Sequence, residues 1–564
     1  MKKHNILKVA LWVIPVAILI LAVAFSNAGW AYLVNYLLAM VEFFLLAVKY
    51  KDKHNANKVV MAIMIAFMLL TWLIPAAYFS GEYIEQGRVQ MGLFDLLNYP
   101  VTSISYFGYI AFYVLAIGAF YAILNKIPAY RAFLDKIVKA VKGTEKFVLF
   151  IIMLLLAVLT SLGGMQLALL CLFPLLVSLI LLMGFDKMVA ALTLVGSTIV
   201  GLVGSTYGYS NVSVINSVLG LELTSEVLTK VIILVLGLVL LMVNVILYIK
   251  KQTKAEKEVV KEIKKKEIKV EKTSTKNNKA SSKKNKAAEK EEDVIIVKEQ
   301  PKEKVDLGSF VPASIGNAKH SVWPFMVSFV ILLVLVILAF IPWVDGFGLQ
   351  AFDDATTAVT EFELFGFPIF AKLFGTFNAF GYWTIVDLTV LLLIITLLLV
   401  VIYKVKFNEV LDAAFDGVKK ALPLAILVTL IYTCLVINTY HPFQMEIYNA
   451  ILSGVDKFNF VGALLVALVS VIAGILNVDP SYAAQSFLPY LATVITKSAS
   501  YPAIGVLAQA MYGFTMLFAP TSIILMLVLS YLEIPYGKWL KTIWKFLLEL
   551  LVIILVVVTI IIVL

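Results

Sequence analysis

Long apolar runs alternate with short polar stretches along the whole chain. They fall near 6–25, 31–49, 59–79, 103–124, 147–183, 189–217 and 228–249, and again near 322–343, 382–404, 421–440, 460–494, 503–530 and 546–564. Many reach the ~20 residues with which a helix crosses a bilayer core. Two of them, 147–183 and 460–494, are too long for one span and carry a glycine or proline break near the middle. These two predict helical hairpins that enter and leave on the same side, and the other runs predict about eleven spans. The expected fold is an all-α polytopic membrane protein with two re-entrant hairpins.

The same blocks open at glycine, proline and small polar residues where a helix should continue. The first passes through Thr160-Ser161-Leu162-Gly163-Gly164 and on to Gly204-Ser205-Thr206-Tyr207-Gly208 and Ser210-Asn211. The second passes through Asn477-Val478-Asp479-Pro480-Ser481 and on to Gly513-Phe514-Thr515 and Pro520-Thr521-Ser522. Backbone that leaves the helix at membrane depth bares N–H and C=O groups that only protein or a water-filled cavity can satisfy. Corresponding breaks in two halves of a membrane protein point to a transport site.

Lysine and arginine placement sets the orientation. The loops at 49–53, 126–146, 404–406 and 419–420, the stretch 250–321, and Lys538 with Lys541 are basic. The stretches 80–101 and 344–372 instead carry Glu82, Glu85, Asp95, Asp345, Asp353, Asp354, Glu361 and Glu363. Basic loops in the cytoplasm put the N-terminus inside, with the first hairpin opening to the cytoplasm and the second to the outside. That parity is what an inverted repeat requires. The expected organisation is two extra N-terminal spans in 1–58, a first repeat over 59–249, a cytoplasmic linker over 250–321 and a second repeat over 322–564. The linker mixes Lys and Glu without an aromatic before Phe310, cannot bury a core, and is expected to be disordered or transiently helical. It reads as a tether, or as a contact for anionic lipid headgroups. Residues 127–141 predict a short basic amphipathic helix on the inner surface.

Composition supports this picture and narrows the chemistry. The 564 residues are 62% hydrophobic and 15% charged, with mean hydropathy +0.96; a soluble chain of that make-up would expose much of its apolar surface. The net charge of +10 sits in loops between spans and is no nucleic-acid signature. Lys2 and Lys3 before the first apolar run suggest a signal peptide with a poor cleavage site at Ser26-Asn27-Ala28. A second apolar run follows at once, which favours a signal anchor in a multi-pass protein of the cytoplasmic membrane. Cys171 and Cys434 lie inside apolar segments, which excludes a disulfide framework and a cysteine metal site. His4, His54, His320 and His441 are scattered over loops and span ends. No Gly-Lys-Ser/Thr phosphate loop and no nucleophile–base set is present, so an ATP-driven pump and an enzyme are disfavoured.

The breaks alone can build a small-molecule site. Helix ends offer N–H groups that suit a carboxylate, and freed carbonyls and hydroxyls suit Na⁺. The candidate substrate-binding residues are Ser161, Gly163 and Gly164 at the first tip and Ser205, Thr206, Ser210 and Asn211 at the first break. Asn477, Asp479, Ser481 and Gln485 are their counterparts at the second tip, and Thr515, Thr521 and Ser522 line the second break. Gly163, Ser205, Asn477 and Thr521 are candidates for a coupling Na⁺, with H⁺ as the alternative and no other cofactor expected. Close helix packing explains any one such glycine or serine alone, but not four reciprocal clusters beside Pro480 and Pro520. Asp479 is the sharpest single residue, because an acid at membrane depth needs a partner. No lysine or arginine is expected at its depth, which leaves a substrate ammonium, Na⁺ or a proton. Asp before Pro is also an ordinary helix N-cap, and the two roles are compatible. Glu42, Asp387 and Glu549 lie near span ends, where snorkelling or packing accounts for them.

The chain also resembles a known family. Leu70-Thr71-Trp72-Leu73-Ile74-Pro75-Ala76, then Met91-Gly92-Leu93-Phe94-Asp95 and Pro100, look like the opening of YfcC-like carriers. These belong with the anaerobic four-carbon dicarboxylate carriers in the ion transporter superfamily. Gly163-Gly164-Met165, Phe173-Pro174, Gly184-Phe185-Asp186, Ala519-Pro520-Thr521-Ser522 and Ile534-Pro535-Tyr536-Gly537-Lys538-Trp539-Leu540 continue the pattern. The resemblance covers most of the chain from about residue 59 onward. It implies an inverted-repeat carrier, a homodimer, and elevator-type movement of the hairpin domain. Two departures stand out. Leu167 and Ala168 occupy places where the family usually has adjacent glutamates, and Ser210-Asn211-Val212 replaces an asparagine–proline.

The reading that follows is a secondary transporter of a small carboxylate-bearing metabolite, ion-coupled or by exchange. The metabolite is an organic anion such as a dicarboxylate or short-chain acid, or an amino acid. An arginine/ornithine-type antiporter is the alternative that Asp479 favours and the scarcity of other acids opposes. A non-transport scaffold or channel subunit is the alternative of another class, and it predicts unbroken spans.

Overall fold

The computed structural model describes residues 55–277, 310–312, 321–375, 377–455 and 457–563. The two predicted N-terminal spans, Glu42, His4, His54 and His320 lie outside the described residues. The rest is mostly helical, and among the described residues eight helices are long and apolar enough to cross a membrane.

Helix α1 (Asn55–Leu73) stops at Ile74-Pro75, where proline removes a backbone donor and biases its predecessor away from helix. Strands β1 (Ala76–Phe79) and β2 (Tyr83–Gly87) then form an antiparallel hairpin. Helix α2 (Leu93–Leu124) is the first long span. The predicted amphipathic helix follows as α3 (Pro128–Ala140), with proline in its first turn and Ala129, Tyr130, Phe133 and Leu134 as its buried side.

Both predicted blocks break where expected, and the two arms of the second pack on each other. The first is α4 (Glu145–Gly163), an irregular tip, a 3₁₀ turn over Ala168–Leu172 and α5 (Phe173–Leu182). Gly164 ends α4 in the left-handed region (φ 62°), the usual place for glycine at a helix C-terminus. The broken span after it is α6 (Lys187–Ala191), a π-turn over Leu192–Gly196 and α7 (Ser197–Val203). It resumes past the break as a π-turn over Tyr209–Ser213 and α8 (Val214–Leu219). Helix α9 (Val227–Asn277) runs well beyond the predicted span. The first part of the predicted disordered linker is therefore helical, as its alternating Glu and Lys, both good helix formers, allow.

The second half opens on α10 (Trp323–Phe340), followed by the short helices α11 (Trp343–Phe347), α12 (Ala351–Thr360) and α13 (Ile369–Phe374). Spans α14 (Ile385–Ile402) and α15 (Phe407–Tyr440) and the short α16 (Gln444–Leu452) lead into the second hairpin. That hairpin is α17 (Phe460–Leu476) and α18 (Pro480–Val494), joined by three non-helical residues. The second broken span is α19 (Tyr501–Met516) and α20 (Ile523–Tyr531), and α21 (Tyr536–Val563) closes the chain.

The two longest uninterrupted spans, α2 and α15, form the spine and lie antiparallel. A Cβ on Gly118 would stand 2.8 Å from the Gly417 carbonyl, and Gly417 meets the Gly118 carbonyl in return. Small residues let membrane helices come this close. Ser103 donates to Thr429 O at 3.0 Å, the Phe107 and Tyr432 rings stack at 4.3 Å, and Tyr99 Oη lies 2.8 Å from His441 Nε2. Helix α1 packs on α15 while α14 packs on α2, so each half lends one helix to the other's spine. The spine also holds the hairpins. Tyr113 and Tyr121 of α2 donate to the Ala168 and Cys171 carbonyls of the first, at 2.9 and 2.7 Å, and Asn438 of α15 donates to the Leu476 carbonyl of the second.

Candidate functional site

At the first break the small polar residues satisfy one another. Ser161 Oγ donates to Gly204 O at 2.7 Å, and Ser161 O accepts the backbone N–H of Thr206 (2.9 Å) and Tyr207 (3.3 Å). The hydroxyls of Ser205 and Thr206 donate to the same carbonyl at 3.3 and 3.2 Å. The last turn of α4 and the unwound segment after α7 thus exchange the groups their helices cannot use. Gly163 packs against the end of α10, where a Cβ would stand 2.9 Å from Phe340 O.

The second break repeats this device. Thr521 Oγ1 donates to Ile475 O at 2.8 Å, as Thr206 does to Ser161 O. The unwound carbonyls of Leu517 and Phe518 are capped from α21: Trp539 Nε1 donates to Leu517 O at 2.8 Å, and Tyr536 Oη donates to Phe518 O. This gives the Tyr536-Gly537-Lys538-Trp539 motif a physical role. Trp539→Phe should leave the Leu517 carbonyl buried without a donor and destabilise the purified protein by about 1–3 kcal/mol. Thermal unfolding in detergent measures this. An unchanged transition would show that Trp539 only fills space.

At the second tip, Asn477 Nδ2 donates to Gln444 Oε1 at 3.1 Å and to Ala473 O at 3.0 Å. Asp479 caps α18, its Oδ1 accepting the Ser481 N–H at 2.8 Å, with Pro480 in the first turn. Among the described residues no ion pair reaches Asp479. Tyr512 Oη donates to Val478 O at 2.8 Å.

The first broken span crosses α19 about one turn before the second break. A Cβ on Gly513 would lie 2.6 Å from Val203 N, and Gln509 Nε2 donates to Ser205 O at 2.6 Å. Beside this crossing is a cavity of about 40 Å³, room for about three waters. All four broken pieces reach it. Gln166 and Leu167 come from the first tip, and Ile199 and Leu202 from α7. Val478, Asp479 and Pro480 come from the second tip, Tyr512 and Met516 from α19, and Ser522, Ile523 and Ile524 from the second break. Tyr432 of the spine completes the lining.

Of the candidate residues, Asp479 and Ser522 line this cavity. Ser161, Ser205 and Thr206 bond one another at the first break, Gly163 and Gly164 end α4, Asn477 and Thr521 bond the end of α17, and Thr515 packs on it; none of these lines the cavity, and Ser481 follows Asp479 in the α18 cap. Thr515 Oγ1 donates to Met511 O within its own helix, and its side chain stands 3.0 Å from a Cβ placed on Gly474. Asn211 is 1% exposed, with both amide atoms unpaired. Gln485 lies exposed on α18, away from the cavity, and the Ser210 side chain lies outside the described residues. Asp387 and Glu549 belong to structural contacts, Asp387 in a capping box with Thr384 and Glu549 accepting from Asn244 at 3.1 Å. Sequence reasoning missed Gln166, Tyr432, Tyr512, Gln509 and Lys230. Gln166 and Lys230 carried a signal, as polar residues inside or beside apolar runs.

A helical membrane protein whose two hairpins and two broken spans meet at one buried polar point has the build of a carrier. The family is shown directly: the model of the C4-dicarboxylate anaerobic carrier family matches residues 9–290 and 314–564, and the chain belongs to that family. It is therefore a transport protein and not an enzyme. The match does not single out the YfcC-like branch. No curated protein sequence matches the chain. Among solved structures, the YdaH transporter of Alcanivorax borkumensis aligns over 90% of this chain and 98% of its own, at 13% identity and a TM-score of 0.38.

Proposed function

We propose that this protein is a secondary transporter of a four-carbon dicarboxylate or closely related organic anion, working by alternating access. The observation that carries this reading is a cavity lined by both hairpin tips, by α7 of the first broken span and by α19 and the break of the second. A continuous-span scaffold or channel subunit has no need of four interrupted helices at one depth. Hydrogen bonds from Tyr113 to Ala168 O, Tyr121 to Cys171 O and Asn438 to Leu476 O tie the hairpins to the spine. An elevator movement would exchange those few bonds while the α2–α15 spine stays fixed.

Asp479 favours a coupling cation, and the cation supports uptake or exchange alike. The decisive experiment is reconstitution: liposomes holding the purified protein and unlabelled succinate should take up labelled succinate or fumarate, tested with and without Na⁺ and a pH gradient. Failure to move any dicarboxylate, short-chain acid or amino acid would defeat the carrier reading. Exchange of arginine for ornithine instead would favour the antiporter.

A further inference from the structure

Lys230 is the only lysine, arginine, aspartate or glutamate among the described residues that is deeply buried (2% exposed), and its ammonium has no hydrogen-bond partner. The neighbouring acid, Glu226, accepts from Thr229 Oγ1 at 2.6 Å and forms no ion pair with it. Its place in the fold follows from the register between α9 and the first broken span. A Cβ on Gly196 would meet Leu241 Cδ1 at 3.0 Å, one on Gly237 would meet Val200 Cγ1 at 3.3 Å, and one on Gly204 would meet Leu234 Cβ at 2.5 Å. The helices therefore run antiparallel, and residue numbers facing each other have a nearly constant sum. One turn back from Leu234, on the same buried stripe, Lys230 lies just past the end of α7, on the side where the first break leaves the helix. Gly208 of that break abuts the first tip, where a Cβ would stand 2.9 Å from Gly164 N.

A buried ammonium at membrane depth without a partner is costly, and such groups mark ligand and ion pathways. The first tip has hydrophobic Leu167 and Ala168, so no acid there competes for the charge. The one deeply buried cation among the described residues thus lies on the side of the first break, and the acid lining the cavity, Asp479, at the second tip. On the carrier reading above, we infer that Lys230 binds a carboxylate of the transported anion at the first break. The ammonium supplies the fixed positive charge that a coupling Na⁺ would otherwise bring to this half of the site, and the carboxylate completes the lysine's missing hydrogen bonds.

The test uses the full-length protein in liposomes and in detergent. Wild type should exchange labelled succinate and be thermally stabilised by it; if it moves no carboxylate, the carrier reading itself has failed, and the lysine is not the cause. Given exchange, Lys230→Met should raise the KM for succinate about 10- to 100-fold, as loss of a hydrogen bond to a charged group predicts. It should also abolish stabilisation by succinate without lowering the melting temperature of the ligand-free protein, because an unpaired buried charge has been removed. Lys230→Arg should restore most of the affinity. If the methionine variant does not fold, Lys230→Gln, which keeps a donor and drops the charge, carries the same readouts. A KM within about twofold of wild type in either neutral variant overturns the assignment, as does a lower melting temperature with unchanged KM, which marks a structural lysine.

Discussion

Gly513→Val should abolish transport and sharply reduce the stability of the purified protein. The first atom of any side chain at 513 would stand 2.6 Å from Val203 N, 2.7 Å from Val203 Cα and 2.9 Å from Leu202 C. These are backbone atoms of the other broken span, so no rotamer change relieves the clash. Overpacked cores typically lose about 1–3 kcal/mol, and rigid backbone neighbours place this one at the upper end. The functional loss should exceed what stability alone explains, because parting α7 from α19 also breaks the bond from Gln509 to Ser205 O and separates the two breaks. Gly454→Ala is the control, since a Cβ there meets nothing within 4 Å. Thermal unfolding and liposome exchange of the two proteins side by side check the prediction. A Gly513→Val protein with wild-type melting and wild-type exchange would mean that the spans do not cross here.

How much of this was legible beforehand varied with the kind of signal. The hairpins could be read because 147–183 and 460–494 exceed one bilayer crossing and break at Gly163-Gly164 and Asp479-Pro480, a length argument that needs no tertiary knowledge. Helix α3 could be read from its amphipathic spacing. Strands β1 and β2 could not, because two strands of four and five residues leave little periodicity beside a long apolar span. The stretch 250–277 cannot bury a core, which made disorder or transient helix the expectation; its Glu and Lys, good helix formers, continue α9 to Asn277.

Of the small polar residues chosen at the tips and breaks, Asp479 and Ser522 line the cavity, and most of the others bond to neighbouring backbone. Whether a hydroxyl faces a ligand or a neighbouring carbonyl depends on which helix packs beside it, and Ser161, Ser205 and Thr206 face one another. Trp539 and Tyr536 stood out as a motif, but their targets, Leu517 and Phe518, lie about twenty residues away, across a turn. Lys230 was hidden for another reason. A lysine at the start of an apolar run reads as a side chain that reaches the membrane surface, and only its burial in the fold shows that it turns inward.

Asp479→Asn should preserve the fold and lose at least about tenfold in transport rate, together with its cation dependence. The two roles of Asp479 make this substitution informative. As an N-cap, its Oδ1 accepts the Ser481 N–H, and asparagine is an equally good cap, so the start of α18 should survive the exchange. As the acid lining the cavity, it has no ion-pair partner among the described residues, so its charge must be met by a ligand cation or a proton during the cycle. Asparagine removes only that second role. Asp479→Ala removes both and should cost a further ~0.5–2 kcal/mol of stability from the lost cap. The measurements are the melting temperature of each variant and succinate exchange against Na⁺ concentration and pH. If Asp479→Asn exchanges at the wild-type rate with unchanged ion dependence, the carboxylate is a helix cap alone, and coupling must be sought elsewhere in the cavity. If the rate falls and the dependence on one cation disappears while the other's effect remains, that cation is the coupling ion, and its binding point is the second hairpin tip.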